Sequence, residues 1–157
     1  PCLGEDALKR FRLMWDDVIY QPGEIKVIAY NIEGQAVEEK TIRTAGKAAS
    51  IKLTPDRKVL KADGEDLCYI NVSLTDKDGN PVPADNRLMK VKVSGDGSFK
   101  AIANGDPTCL ESFQQPQMHL FSGQLTVLVQ SSSQPGEITV EVTGKGVKKA
   151  RLTIITE

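Results

Sequence analysis

His119 is the only histidine in the chain, so any mechanism that uses imidazole as a base or as a metal ligand rests on that residue alone. It stands in PQMHLFSG at the entry of an alternating apolar run, which reads as a solvent-facing position on an edge strand. Ser131, Ser132 and Ser133 lack a GxSxG context and read as a loop. Asp16 and Asp17 are adjacent, and neighbours on a strand point to opposite faces, so they cannot flank a glycosidic bond. DKDGN, residues 76 to 80, shares letters with a calcium loop. Its Gly follows the second Asp directly, however, and no Glu stands at EF-hand distance, so it reads as a hairpin turn. The glycines of GDGS and TGKG lie between strands and open no helix, which argues against a phosphate cradle. Cys2, Cys68 and Cys109 are an odd set without CxxC spacing, pointing to neither a disulfide framework nor zinc. Cys68 sits in an alternating strand and reads as a small buried hydrophobe; Cys109 sits in a loop and reads as an exposed thiol. No cofactor or metal is expected, and no catalytic residue is assigned.

One stretch stands apart. NGDPTCLESFQQPQMHLFSG, Asn104 to Gly123, runs without a clean strand period, and loops of this kind are commonly functional. Asn104, Asp106, Glu111, Phe113 and His119 are its candidates for contact with a partner surface or a glycan. The alternative is a structural loop packed over one end of the domain.

The elements that must position these residues follow from the apolar period. In LCYINVSLTD, Cys68, Ile70, Val72 and Leu74 alternate with polar neighbours, the pattern of a half-buried strand. Met89, Val91 and Val93 repeat it, as do Leu125, Val127 and Val129; Ile138, Val140 and Val142; and Leu152 and Ile154. Turn residues separate the runs, and no helical period persists beyond about residue 20. The predicted class is all-β, an immunoglobulin-like antiparallel β-sandwich preceded by a partial second sandwich. Strands are expected near 49–54, 58–62, 67–76, 88–94, 98–103, 119–130, 137–143 and 147–156. Before them stand FRLMWDDV, EIKVIAYN and QAVEEKTIRT, too few to close a core alone. Residues 1–46 are therefore read as the trailing portion of a preceding sandwich and 47–157 as a complete domain, divided within TAGKAAS. QPGEIKV from Gln21 echoes QPGEITV from Gln134, as the final hairpins of two tandem sandwiches would.

Twenty basic and twenty-one acidic residues in 157 leave a net charge of −1 with no long block of either sign, so nucleic acid is not expected as a partner. No apolar run reaches the ~20 residues of a membrane-spanning helix, and the N-terminus lacks signal-peptide features. The chain starts without Met and reads as a fragment. Its first portion, with unpaired edges, is expected to order poorly or to pair with another copy.

FRLMWDDVIYQPGEIKVIAYNIEGQAVEEKTIRTAG resembles a segment in the C-terminal β-sandwich region of family 2 glycoside hydrolases of the β-galactosidase type, particularly those of gut Bacteroidetes. DGEDLCYINVSLTDKDGNPVPADNRLMKVKVSGDG and NGDPTCLESF resemble the next immunoglobulin-like domain of the same enzymes. The resemblance implies an upstream catalytic barrel carrying the two glutamates of a retaining glycosidase, with this chain as a non-catalytic module, and export to the periplasm or cell surface through the parent. Neither the Asn-Glu dipeptide of the family's acid/base residue nor its nucleophile motif occurs here. Family members often carry an Arg and an Asn near PQMHLFSG, where this chain has His119 and Ser122. Two other readings compete: a carbohydrate-binding module, which wants a row of exposed aromatics, and an adhesion-type immunoglobulin-like repeat.

Overall fold

The computed structural model describes residues 17–157, and every regular element among them is a β-strand. The expected strand FRLMWDDV lies outside the described residues except for Asp17 and Val18, which belong to no strand. The chain divides into two compact units between Thr44 and Ala45.

The described part of the first unit is a hairpin of β1 (Glu24–Tyr30) and β2 (Ala36–Arg43), antiparallel from Glu24↔Arg43 to Tyr30↔Ala36. Its turn is closed by an asparagine: the Asn31 Oδ1 accepts the backbone N–H groups of Glu33 (3.0 Å) and Gln35 (2.9 Å). Alternation puts Ile25, Val27 and Ile42 on one face, where they remain 53%, 40% and 65% exposed. The other face carries two ion pairs, Arg43–Glu24 at 2.7 Å and Lys26–Glu39 at 2.8 Å.

The second unit is a β-sandwich. One sheet has the order β4 (Val59–Leu60), β11 (Ala150–Thr156), β10 (Gly136–Gly144), β6 (Leu88–Gly95), β8 (Gln117–His119). The other has the order β3 (Ser50–Pro55), β5 (Leu67–Thr75), β9 (Gln124–Ser131), β7 (Gly97–Ala103). All ladders are antiparallel except that of the two-residue β4, which runs parallel to β11. The inward rows predicted from the alternation form the core: Cys68, Ile70, Val72 and Leu74 of β5 and Leu125, Val127 and Val129 of β9 on one side, Met89, Ile138, Val140, Val142 and Ile154 on the other. Each such side chain contributes about 1.5–3 kcal/mol on leaving water. The Cys68 thiol, buried and donating to the Arg57 carbonyl at 3.3 Å, is pushed up to about 11 chiefly by burial. It is a packing residue and not a nucleophile.

DKDGN forms the tight turn after β5. The Asp76 Oδ1 accepts the N–H groups of Asp78 (2.9 Å) and Asn80 (2.8 Å), and Oδ2 accepts the Gly46 N–H at 2.8 Å.

The strand expected at 119–130 is two strands. β8 ends at His119 and pairs with β6, whereas β9 begins at Gln124 and pairs with β5 and β7 in the opposite sheet. The chain crosses between sheets through a tight turn in which Ser122 and Gly123 both have positive φ, 50° and 74°. The inward row changes phase at the turn, from Met118 and Leu120 in and just after β8 to Leu125, Val127 and Val129 in β9, and reading 119–130 as one strand passed over that shift. Ser131, read as loop, is the buried last residue of β9.

Candidate functional site

β7 and β8 are edge strands of the two sheets, and the segment between them binds both edges. An unpaired edge invites foreign strands unless it is covered. On the β7 side the Ile102 N–H donates to the Phe113 carbonyl at 2.8 Å. On the β8 side the Glu111 carboxylate accepts the His119 backbone N–H at 2.9 Å, and the Asn104 side-chain amide donates to the His119 carbonyl at 3.0 Å. The two outward groups of His119 are thereby satisfied by side chains.

Four of the five residues singled out from sequence meet in one network. The Asn104 Oδ1 accepts the Asp106 N–H at 3.0 Å, and the Asp106 carboxylate accepts both the N–H (2.8 Å) and the hydroxyl (2.7 Å) of Thr108. Those bonds, the backbone one first, hold the Asp106 carboxyl below its usual value. Glu111 Oε1 lies 2.9 Å from His119 Nδ1, and the bond from the His119 backbone is the main reason the Glu111 carboxyl is lowered. Phe113 stands outside this network: only its backbone carbonyl is engaged, by the Ile102 N–H, and the residue is 54% exposed. Cys109, expected as an exposed thiol, is half-buried against the core. Its sulfur receives the Asn104 amide at 3.6 Å and lies 3.9 Å from Glu111 Oε2. The loop folds back over the sandwich, which withdraws the thiol from solvent.

The Glu111–His119 pair has the carboxylate and imidazole of a relay but not its third member. Among the described residues no hydroxyl or thiol hydrogen-bonds the His119 ring. Among the same residues no group of three His, Cys, Asp or Glu side chains could hold a metal. The network is suited to bracing an edge.

The surface of this unit has, among others, two depressions formed by described residues. One, of about 590 Å³, includes Lys47, Asp85, Arg87 and Lys145. Its Arg87 is committed, with Nε at 2.9 Å from Asp85 Oδ1 and a terminal nitrogen 2.7 Å from the Lys145 carbonyl. The other, of about 500 Å³, lies beside the sheet-crossing turn and is lined by Asn71, Asn104, Phe121, Ser122, Gln124 and Thr126 together with small or apolar neighbours. Of these only Asn104 was singled out from sequence as a contact residue. Asn71 and Thr126 had one legible signal, their outward places in two alternating runs, but their meeting depends on the Asn71↔Thr126 register.

The second unit is thus a two-sheet sandwich in which the segment between β7 and β8 braces one edge strand of each sheet. The chain belongs to the glycoside hydrolase family 2 C-terminal domain 5 family, whose profile matches residues 51–153. Residues 2–38 match a domain of unknown function, DUF4982. The chain is 40% identical to a β-galactosidase of Bacteroides ovatus over 89% of its own length and 16% of that protein's. It is 29% identical to a β-galactosidase of Thermoanaerobacter pseudethanolicus over 70% of its length and 13% of that protein's. A crystal structure of a family 2 glycosyl hydrolase from Bacteroides cellulosilyticus superposes with a TM-score of 0.86 at 32% identity, covering 97% of this chain and 21% of that one. A β-glycosidase from Bacteroides vulgatus gives 0.81 at 30% identity, covering 88% and 18%. The D00-D0 domain of intimin, at 16% identity and a TM-score of 0.54, shares the fold alone.

Proposed function

We propose that this chain is the non-catalytic C-terminal part of a β-galactosidase-like retaining glycosidase, in which the sandwich buttresses an upstream catalytic barrel. In this reading residues 1–46 are the trailing portion of one sandwich and 47–157 a complete immunoglobulin-like one. The observation that carries it is the family match over 51–153, lying on a domain whose single histidine is engaged in bracing an edge strand. The small share of each relative that the chain spans, 16% and 13%, supports the same reading.

The isolated chain should release no nitrophenol from p-nitrophenyl β-galactoside. A full-length parent lacking residues 45–157 should unfold at a lower temperature than the intact one. Hydrolysis by the isolated chain would overturn the reading, and so would an intact parent no more stable and no more active than the truncated one.

A further inference from the structure

We propose that the depression beside the sheet-crossing turn binds a neutral saccharide ring. Three observations lead there. The first is charge: the outer face of the five-stranded sheet carries Lys90, Lys92, Glu141 and Arg151, whereas among the described residues no charged side chain lines this depression of about 500 Å³. A phosphate, a carboxylate or a cation would find no counter-charge in it.

The second is the kind of polar group. The Asn71 amide donates to Gln124 Oε1 at 3.4 Å, which turns the two amides toward one another. Among the described residues, the Asn71 Oδ1 and the Gln124 Nε2 have no further protein partner, and the Thr126 and Ser122 hydroxyls beside them have none. An acceptor, a donor and two hydroxyls that both donate and accept match the edge of a polyol, whose hydroxyls also do both. Next to them lies Phe121, 44% exposed. Its π-face offers the C–H face of a pyranose the apolar contact that an amide row lacks.

The third is rigidity. Ser122 holds a left-handed backbone, φ 50°, that residues other than Gly rarely adopt. The turn is closed by Phe121 N–H to the Gln124 carbonyl (3.0 Å) and Gln124 N–H to the Phe121 carbonyl (3.1 Å). It is pinned to its surroundings by Gly123 N–H to Asp85 (3.1 Å) and by Leu74 N–H to Gly123 (3.1 Å). Phe121 and Gln124 face one another across this hairpin, so their side chains lie on one side of it. Little ordering is left for a ligand to impose, which lowers the entropic cost of capture.

The geometry stands whether or not a barrel precedes it, and only the choice of a galactoside as first probe rests on the proposed function. The experiment is a ¹H–¹⁵N titration of the 157-residue chain with methyl β-galactoside, methyl β-glucoside, lactose and, as a charged counterpart, glucuronate. Neutral sugars should shift the signals of Asn71, Asn104 and Phe121 to Thr126. Phe121→Ala and Asn71→Ala should each weaken binding at least about tenfold, a loss of ~1.4 kcal/mol, in chains whose spectra are otherwise native. Shifts that survive both substitutions, tighter binding of glucuronate, or no response to any neutral sugar would overturn the assignment. Such a failure would leave the accessory reading untouched, because that is judged by hydrolysis and truncation.

Discussion

Two hairpins begin with the same four letters, QPGE, and use them differently. In the first, Gly23 has φ 150°, a backbone that only Gly enters easily, and a methyl group there would meet nothing within 4 Å. In the second, Gly136 sits in a strand with ordinary backbone, and its missing side chain leaves room for the Asp96 carboxylate. Asp96 in turn accepts the Glu137 N–H at 3.3 Å and donates its own N–H to the Glu137 carbonyl at 2.9 Å. One glycine is required by torsion and the other by close approach. The following residues diverge too: Ile25 is 53% exposed in its hairpin, and its counterpart Ile138 is fully buried. A repeated motif specifies a hairpin; it does not specify what the hairpin packs against.

The largest expected difference lies in those isoleucines. Ile138→Ala should cost about 2–5 kcal/mol in urea denaturation of the second unit, and Ile25→Ala no more than about 0.5 kcal/mol in the isolated chain. Equal costs would mean that the first hairpin is covered.

The glycines should separate by coupling. Gly23→Ala and Gly136→Ala should each destabilise by about 1–3 kcal/mol. Truncating Asp96 to Ala should then relieve the second substitution and leave the first unchanged, with an interaction above about 0.5 kcal/mol in the double-mutant cycle.

A third contrast concerns pH. NIEGQ and DKDGN close alike, an Asx side chain accepting the N–H groups two and four residues on with Gly in the fourth place at φ 78° and 84°. Asn31 is neutral, while Asp76 is a carboxylate lowered to about 2, first by the Gly46 N–H and next by the Asn80 side chain. A folded value below the ordinary 3.8 means that the stabilisation is present above about pH 4 and is lost as pH falls toward 2. Thermal melts should show this acid loss in the native chain, and Asp76→Asn should flatten that part of the slope. An unchanged slope would remove Asp76 from the account.

Smallest of all should be the surface ion pairs. Arg43 and Glu24 are 60% and 42% exposed, so Glu24→Gln should shift stability by about 0–1 kcal/mol, an effect screened out in ~1 M salt. Glu141, held by Lys149 and Arg151, should respond in the same direction and fade with salt likewise.

Much of the sandwich was legible because a period of two is local chemistry: Ile70, Val72 and Leu74 point inward whatever strand lies beside them. The reading failed at residues 119–130, where the inward row shifts from Met118 and Leu120 to Leu125 and Val127 at a short turn and the chain changes sheet. In the loop, Asn104, Glu111 and His119 could be picked out by type. That they serve one strand's backbone was not visible, since the hydrogen bonds join residues 8 and 15 positions apart through a fold the letters do not encode locally.

By itself, then, the amino-acid sequence determined the all-β class, the inward rows and the turns, because backbone sterics and side-chain alternation act over a few residues. Only the tertiary structure decided which strands pair, which glycine yields space and which yields torsion, and that Asn71 meets Gln124 across 53 positions of chain. Those outcomes depend on long-range register, which no short window of residues contains.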